Sequence, residues 1–511
     1  MTAALRGAAL VVHLYVAAEG TDRRADRQHL LEVWRRLQDR RGLTSPLAGL
    51  PTAPALDGAT GLLAGLRRSG AAAPHVEEAL LRREHDVFCL SVYREPAGAT
   101  WADLQAEWAA VTDGLEPSTG LVGCAMVFLA RLPRARPVAR VLGRDRPDPA
   151  ALTAVVRDRI PDLPAAAAGG APAVRWLPGV GAAPGFAVWE ASEAADDRAT
   201  RRLVVVAPHD ADDRLSGWVW VVGPDLDLPR LGRYLLHAAK LRAQLRLWQV
   251  EGPALRANRE SADATVDELL AQLTRLSDRS SSARLLNAAR RLTALQAGEP
   301  GLVRTHTALL EMRRTIDIAG ANLAALGEPG AGGLFADDRE LGAWFAQQLD
   351  DDAVYLGAAR ERAGQVAALA DQLLQRRAQD ERERFNLAAT GAVGAVLMVL
   401  AASQSFGYRP PLPPLVQPAV VALLGAVALL STLLMLWIVG RRRWWTRALL
   451  WVGWGLVGAT TAWMLTSAVL AGSATGAATR WWALGGFLAA GGLAALWSVL
   501  AGARRRRRSG V

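Results

Sequence analysis

Hydrophobic and polar positions along the first 250 residues follow two alternating patterns. Short apolar runs of strand length, such as Leu10–Val16, are separated by segments whose apolar residues recur every three or four positions, as in Arg23–Arg41. The pattern therefore predicts strands and helices mixed along this part of the chain. The strands are predicted at 10–16, 86–95, 120–132, 185–191, 202–206 and 217–222, and the helices at 23–41, 100–112, 149–160 and 229–250.

This mixture favours an α+β domain over residues 1–250, with a partly antiparallel sheet and ferredoxin-like strand pairing as the leading hypothesis. Residues 251–384 have a different, almost wholly helical pattern. Apolar residues there follow three- and four-residue steps, as at Leu269, Leu273 and Leu276, which predicts a helical bundle or coiled-coil stalk. Its last helix is predicted to run from Asp337 to Arg384.

The remaining residues, 385–511, contain four long apolar runs. Each has roughly the 20 residues that a helix needs to cross the hydrocarbon core of a bilayer. The sequence therefore predicts a segment of four transmembrane helices followed by a basic C-terminal tail. The runs are Phe385–Phe406, Val416–Val439, Ala448–Leu470 and Trp481–Ala501.

Charge is distributed unevenly between these parts. The chain carries 59 Lys and Arg against 49 Asp and Glu, a formal net charge of +10. Residues 386–511 hold 11 arginines and no acidic residue, so the first 385 residues carry 48 basic and 49 acidic side chains. Because the excess charge belongs to the tail alone, the sequence predicts no nucleic-acid partner.

The connections between the predicted spans are alternately rich and poor in arginine. Loops rich in arginine stay on the cytoplasmic side of a membrane, and tryptophans favour the headgroup region at span ends. The sequence therefore predicts a multi-pass protein of the cell membrane with both termini cytoplasmic and the lipid bilayer as a partner. The topology residues are Arg441, Arg442, Arg443, Arg447, Arg504, Arg505, Arg506, Arg507 and Arg508, and the interfacial aromatic residues are Trp444, Trp445, Trp481 and Trp482.

The predicted spans contain no Asp, Glu, Lys or His, the residues that mark proton and ion pathways. A transporter or selective channel is therefore disfavoured. Small residues are frequent, as in the run Gly485–Gly492, and they would permit helices to approach closely. Homo-oligomerisation through these helices is accordingly a hypothesis.

Candidate chemistry is sparse, and we expect no catalytic residue, cofactor or metal. The only lysine, Lys240, lies inside a predicted helix without a glycine-rich loop, which excludes a P-loop nucleotide site. Cys89 and Cys124 lie in apolar runs and are interpreted as buried side chains. His85 precedes Cys89 by four positions, but no cysteine-peptidase signature surrounds them. His13 and His29 are interpreted as a strand residue and a helix-face residue.

The segment His209–Asp213 gathers a histidine and three aspartates. Carboxylates in this arrangement could hold a hard cation. Asp and His are also frequent in solvated hairpin turns, and a turn between two strands is the favoured interpretation.

Three segments in this order resemble a known family: "ALVVHLYVAAEG" at the start, "RREHDVFCLSV" near residue 90, and "GWVWVVGPDLDLPRLGRYLLHAAKLR" leading into the helices. The chain resembles the CATRA (caspase- and TPR-repeat-associated) conflict-system proteins of actinobacteria. The resemblance implies a caspase-like peptidase and TPR-repeat proteins as partners, and a defence response. It supplies no catalytic residues.

Three functional hypotheses follow. The favoured one is a non-enzymatic, membrane-anchored effector or adaptor of such a system. The second is a membrane-anchored ligand-binding receptor or signal transducer. The third, a hydrolytic enzyme using Asp210–Asp213, has the least support.

Overall fold

The computed structural model describes residues 5–20, 23–57, 60–70, 76–115, 120–134, 146–162, 173–183, 185–223, 225–274, 280–298, 301–405, 416–439, 444–469 and 476–508. The chain divides into two units, each of which is described by itself. The first comprises Met1–Leu276 and Asn287–Ala367, and the second comprises Ser277–Leu286 and Ala368–Val511.

The first unit is built on one nine-stranded sheet with the strand order β2-β3-β4-β5-β1-β6-β9-β8-β7. Every neighbouring pair is antiparallel except β6 and β9, which run parallel. The first strand lies at the centre, where eight of its twelve residues are buried. The strands are β1 (Arg6–Ala17), β2 (Leu43–Pro46), β3 (Gly61–Arg68), β4 (Val76–Glu84), β5 (Val87–Glu95), β6 (Leu121–Arg131), β7 (Val174–Ala182), β8 (Phe186–Glu193) and β9 (Thr200–Ala207).

Helices occupy both faces of this sheet. Three follow strands of the α/β domain: α1 (Arg23–Arg41), α2 (Trp101–Thr112) and α3 (Pro149–Arg159). The remaining described helices of the chain, not all of which belong to this unit, are α4 (Asp212–Val219), α5 (Arg230–Thr274), α6 (Ser280–Ala297), α7 (Leu302–Leu326), α8 (Gly333–Ser405), α9 (Gln417–Val439), α10 (Trp444–Val469) and α11 (Gly476–Arg508).

One face of the sheet packs against α1, α2 and α3. Alternate residues of β1, including Leu10 and Leu14, share a core with Trp34 of α1 and Trp108 of α2. Helix α2 begins with a capping box in which Thr100 and Asp103 satisfy each other's backbone amides, a local signal that fixes its first residue.

The opposite face packs against α4 and the first half of α5. The Tyr15 hydroxyl donates a hydrogen bond of 2.8 Å to the Gly232 carbonyl, which ties the central strand to α5. The helix approaches so closely that a Cβ atom on Gly123 would lie 2.8 Å from the Cβ atom of Ala239. A glycine is therefore required in β6 at this contact.

The predicted α+β fold with ferredoxin-like pairing is wrong. The structure has an α/β domain in which one large sheet carries helices on both faces. A split βαβ unit would give the first strand a parallel neighbour, whereas β1 is antiparallel to both β5 and β6. The sequence pattern also missed β2, β3, β4 and β7.

The strand predicted at 217–222 is wrong as well. Helix α4 covers Asp212–Val219 and buries Leu215, Trp218 and Val219. These three positions have the spacing of one helix face, which short apolar runs do not distinguish from a strand.

The helices of the first unit bury apolar side chains at helical spacing. Helix α7 buries Leu309, Met312 and Ile316, and α8 buries Phe345 and Leu349. Helix α5 continues through Pro253 into this bundle. The predicted boundaries at residues 250 and 384 remain predictions, and α5 and α8 each run across one of them.

In the second unit, α10 and α11 are in close backbone contact. A Cβ atom on Gly458 would lie 2.4 Å from the Gly486 carbonyl oxygen, and one on Gly486 would lie 2.5 Å from the Gly458 carbonyl oxygen. Ala462 and Ala490 follow these glycines by four residues and line the same contact. Small residues at this spacing allow two helix backbones to approach.

The four predicted transmembrane helices, and with them the predicted multi-pass membrane location with cytoplasmic termini, are wrong. Among the described residues, only Ala448–Val469 is long and apolar enough to cross a bilayer. Pro418–Leu434 forms a shorter apolar stretch, about 26 Å of helix. The other two predicted spans are rich in Gly, Ala and Ser, whose small side chains add little apolar surface.

Candidate functional site

Charged side chains enter the sheet interior on two neighbouring strands. On β8, Glu190 lies on the same face as Phe186 and Val188, and it pairs in register with Leu203 of β9. Arg201 precedes Leu203 by two residues, so the period of the strand places Glu190 and Arg201 on the same face. Both side chains are at most 3% exposed.

Helices α5 and α8 bring complementary groups to this face. Tyr234 and Arg242 are eight residues apart on α5, and Asp337 and Asp338 lie near the start of α8. Arg198 comes from the connection between β8 and β9. We call the following six ionised side chains the charge cluster: Glu190, Arg198, Arg201, Arg242, Asp337 and Asp338.

Glu190 is the carboxylate of the sheet. Its Oε1 atom accepts hydrogen bonds from Arg198 Nε at 3.1 Å and from Arg201 Nε at 3.0 Å. Its Oε2 atom accepts from Arg201 Nη2, so Arg201 binds it with two parallel bonds. The Ser192 hydroxyl adds a bond of 2.8 Å to Oε1. This carboxylate is therefore held from three sides.

Asp338 joins α8 to both α5 and the sheet. Its Oδ2 atom accepts hydrogen bonds from Arg201 Nη1 at 2.9 Å and from the Tyr234 hydroxyl at 2.7 Å. Its Oδ1 atom lies 2.7 Å from Arg242 Nη2. Asp338 is fully buried.

Asp337 continues the cluster toward the surface. Its Oδ2 atom lies 3.1 Å from Arg198 Nη2 and 3.4 Å from Arg242 Nη2. Its Oδ1 atom lies 2.6 Å from Nη2 of Arg175, a side chain of β7 that is 38% exposed. The first turns of α8 are thus fastened to two strands and one helix.

The charges of the cluster balance, since three guanidinium groups face three carboxylates. Burial opposes ionisation of Asp338, but Arg201 and Arg242 outweigh it and hold the pKa of Asp338 below its usual range. Glu190 follows the same logic with Arg201 and Arg198, and its pKa is also lowered. Burial raises the pKa of Tyr234, which therefore stays a neutral donor. The lowered pKa values of Glu190 and Asp338 favour a buried ionic contact with Arg201.

A second buried polar group lies between β1 and β5. His13 Nδ1 and Ser91 Oγ are 2.8 Å apart, and His13 Nε2 is 3.1 Å from the Val219 carbonyl oxygen of α4. Burial lowers the pKa of His13 to about 4. The neutral ring therefore donates through Nε2 and accepts the Ser91 hydroxyl proton at Nδ1, the assignment that satisfies both contacts.

The two cysteines face opposite sides of the sheet. Cys89 is paired with Tyr15 and Cys124 with Leu14, and neighbouring residues of a strand point to opposite faces. Both thiols are free and buried, and burial raises the pKa of each to about 12. His85 lies in the exposed turn between β4 and β5, away from the buried Cys89 strand position.

The acidic segment at His209–Asp213 is a strand-to-helix connection and not the predicted hairpin turn. Asp212 and Asp213 form the first turn of α4, where carboxylates complement the helix dipole. Asp212 pairs with Arg131 of β6. In the part of the chain that the structure describes, no group of three or more His, Cys, Asp or Glu residues is placed to hold a metal ion.

The membrane-topology role of the arginines and the interfacial role of the tryptophans remain predictions. Trp481 and Trp482 lie in α11 with 74% and 61% of their surface exposed. Trp444, Trp445 and Arg447 fall in the first turn of α10, and Arg504–Arg508 fall at the end of α11. Arg441, Arg442 and Arg443 lie outside the described residues.

Sequence reasoning missed the charge cluster. The available signal was the presence of ionic residues inside otherwise apolar strands, Glu190 in "FAVWEAS" and Arg201 in "TRRLVVVA". Asp338, the α8 partner of Arg201, is 137 residues away in sequence, so no local spacing could identify it.

Comparison with known protein families divides most of the chain into two domains, and the charge cluster has members in both. The family model described as the CASPASE and TPR Repeat-Associated N-terminal domain (CATRA-N) matches residues 9–223. The corresponding C-terminal domain (CATRA-C) matches residues 229–363. No curated protein and no solved structure matches the chain. The charge cluster therefore takes Glu190, Arg198 and Arg201 from the first domain and its other members from the second.

Proposed function

Because the chain belongs to the CATRA family, whose two domains are named for their association with caspases and TPR repeats, we propose that it is a non-enzymatic adaptor. Its partners in this proposal are a caspase-like peptidase and a TPR-repeat protein. The setting is a bacterial conflict or defence response. Both family domains are present in one chain, in the expected order.

The observation that carries the proposal is the charge cluster. It joins the two family domains through buried, mutually neutralised charges, which supports a fixed arrangement of the two domains in one chain. Removing one member of a buried ionic group leaves its partners unpaired and is strongly destabilising. In the proposed adaptor, a rigid connection between the two domains would hold a partner bound to the sheet domain in a constant position relative to a partner bound to the helices.

Support also comes from the functional groups inside the fold. The buried thiols have raised pKa values, and the neutral His13 is enclosed by the sheet and α4. These features favour structural roles for the residues that would otherwise invite a catalytic interpretation. In this role the peptidase carries out hydrolysis, and this chain carries out recognition.

The test is reconstitution from purified components. The full chain is mixed with a caspase-like peptidase and a TPR protein from the same genome, and complexes are separated by size-exclusion chromatography. Co-elution with either partner, together with a changed peptidase rate on a fluorogenic peptide, is the expected result. Hydrolysis of the peptide by the chain alone would contradict the non-enzymatic role, and failure to co-elute with both would contradict the adaptor role.

A pair of matched variants tests whether the charge cluster contributes to the response of the peptidase. Arg201→Met opens the cluster, whereas Arg291→Gln removes an exposed cation in the same unit whose pairing with Glu268 is 3.4 Å. We expect Arg201→Met to weaken the response of the peptidase to the TPR protein while Arg291→Gln leaves it unchanged. If the peptidase responds equally to the TPR protein with both variants, the charge cluster is not needed for the adaptor role.

A further inference from the structure

Helix α11 leaves a continuous apolar surface exposed. Residues 481–497 read "WWALGGFLAAGGLAALW" and, apart from the indole groups, contain no charged or hydrogen-bonding side chain. Seven large side chains of this stretch are exposed, from 52% at Leu484 to 75% at Trp497. Monomeric proteins in water rarely expose a contiguous apolar patch of this kind unless it is a contact surface. The seven are Trp481, Trp482, Leu484, Leu488, Leu493, Leu496 and Trp497.

The exposed surface includes the side of α11 that faces away from α10. Gly486 and Ala490 contact α10, and two residues further along a helix the direction of the side chain has turned by about 200°. Leu488 is two positions from both of them, so it points away from α10, and it is 63% exposed. Trp481 and Gly492 lie within about 40° of Leu488 around the helix. We call this side of α11 the outer face; it is formed by Trp481, Leu484, Gly485, Leu488, Ala489 and Gly492.

Large and small residues alternate along the outer face. Trp481, Leu484 and Leu488 project from it. Gly485 and Gly492 are notches between them, because a Cβ atom built on either glycine meets nothing within 4 Å. The space beside each glycine is therefore open to a side chain that comes from outside this chain.

An antiparallel pairing of two α11 helices matches each projecting side chain with a small residue. A two-fold axis at the level of the bond between residues 486 and 487 places Trp481 opposite Gly492 of the second copy. The same axis places Leu484 opposite Ala489 and Leu488 opposite Gly485. Each contact occurs twice, because in a two-fold interface residue i meets j and residue j meets i. One register thus gives six contacts of a large side chain with a small residue, the arrangement that close packing favours.

We propose that the outer face binds a second copy of this chain, with the two α11 helices antiparallel in this register. With up to about 250 Å² for a whole tryptophan, the seven exposed side chains present roughly 800 Å², about what one partner contributes to an interface of standard size. A lipid surface would also cover apolar side chains, but lipid does not require notches in register with projections. Among the described residues, only Ala448–Val469, in α10, is long and apolar enough to cross a bilayer.

The proposed dimer carries two copies of each family domain. It is therefore divalent toward any partner of those domains, and two linked sites bind a partner array more tightly than one site alone. Self-association goes beyond the adaptor role, because a monomeric chain could serve as an adaptor as well.

Sedimentation velocity of the full chain over a range of concentrations measures the dimer. Gly485→Leu/Gly492→Leu fills both notches with apolar side chains. Gly425→Leu is the control, because it makes the same change in α9 at a glycine whose Cβ atom also meets nothing within 4 Å. We expect the double variant to raise the dissociation constant of the dimer at least about tenfold. The control should change it less than about twofold.

A monomeric wild-type chain would overturn the proposal. A lower dissociation constant in the double variant would overturn it too, because added apolar surface strengthens any association that does not use the notches. Flotation with vesicles of phosphatidylcholine and phosphatidylglycerol tests the other occupant. If the wild-type chain and the double variant bind the vesicles equally and the dimer is lost, lipid covers the outer face and the proposal is wrong.

Disulfide cross-linking tests the register. Chains with Trp481→Cys are mixed with chains with Gly492→Cys and oxidised, while the native Cys89 and Cys124 are buried. We expect a cross-link between the two variants. Two Trp481→Cys chains should not cross-link with each other, because these positions lie about 16 Å apart along antiparallel helices in this register. Preferential cross-linking of Trp481→Cys with itself would overturn the antiparallel arrangement.

Discussion

Arg201 on strand β9 donates a hydrogen bond of 2.9 Å to Asp338 on helix α8, with both side chains at most 3% exposed. This contact spans the boundary between the two CATRA domains. It follows that the domains share one buried ionic group and that neither encloses its own charges alone. The stability of each domain is therefore expected to depend on the other.

Replacing Arg201 with methionine is expected to lower the free energy of unfolding by about 3–5 kcal/mol. The substitution keeps the length of the side chain but leaves Glu190 and Asp338 without their shared cation. Urea denaturation followed by circular dichroism measures the effect. Arg291→Gln, at an ion pair with side chains 65% and 48% exposed, is expected to cost less than about 1 kcal/mol. Similar losses in the two variants would contradict a special role for the buried cluster.

Five of the nine strands, β1, β5, β6, β8 and β9, could be predicted from the sequence. Strands such as β1 and β6 are continuous apolar runs, because they lie at the centre of the sheet and are buried on both faces. Strand β4, "VEEALLRRE", was missed because its charged residues hide the period of two, and β7 was missed because Pro178 and two glycines interrupt it. Edge strands and strands with paired charges therefore have weak hydrophobic patterns in the sequence.

The candidate site could not be predicted, since its members come from strands and helices far apart in the chain. Asp337 and Asp338 read locally as ordinary acidic residues near a helix start. Only the fold brings them to Arg242 and Arg201. The error in the tail has a different origin, because runs of Ala and Gly satisfy a length criterion for membrane spans without supplying enough apolar surface.

Acid is expected to destabilise the fold through His13. Its pKa is about 4 in the folded chain and about 6.5 when exposed, so the unfolded chain binds the proton first as the pH falls. Stability is therefore fully present above pH 6.5 and is lost between about pH 6.5 and 4, by up to about 3 kcal/mol. His13→Gln removes the titrating ring, and we expect a flatter dependence of the urea midpoint on pH across this window. An unchanged slope would show that other groups set it.

The two thiols are expected to be inert in the native chain. Burial raises the pKa of Cys89 and Cys124 to about 12, and the thiolate is the reactive form. Titration with a coloured disulfide reagent should detect neither thiol before denaturation and both thiols in guanidinium chloride. The variants Cys89→Ala and Cys124→Ala assign each signal. Rapid modification of a thiol in a chain with a native circular dichroism spectrum would contradict this placement.

A single methyl group at Gly123 is expected to disturb the contact between the sheet and α5. The new Cβ atom would lie 2.8 Å from Ala239 Cβ and 3.3 Å from the Ala199 carbonyl oxygen, so Gly123→Ala should cost about 1–3 kcal/mol. Gly320→Ala is the control, because its Cβ atom meets nothing within 4 Å inside α7 and should stabilise the helix by about 0.5–1 kcal/mol. Adding Ala239→Gly to Gly123→Ala removes the clash, and we expect it to recover part of the loss. No recovery in the double variant would mean that the backbone of Ala199, and not the helix, limits the space at Gly123.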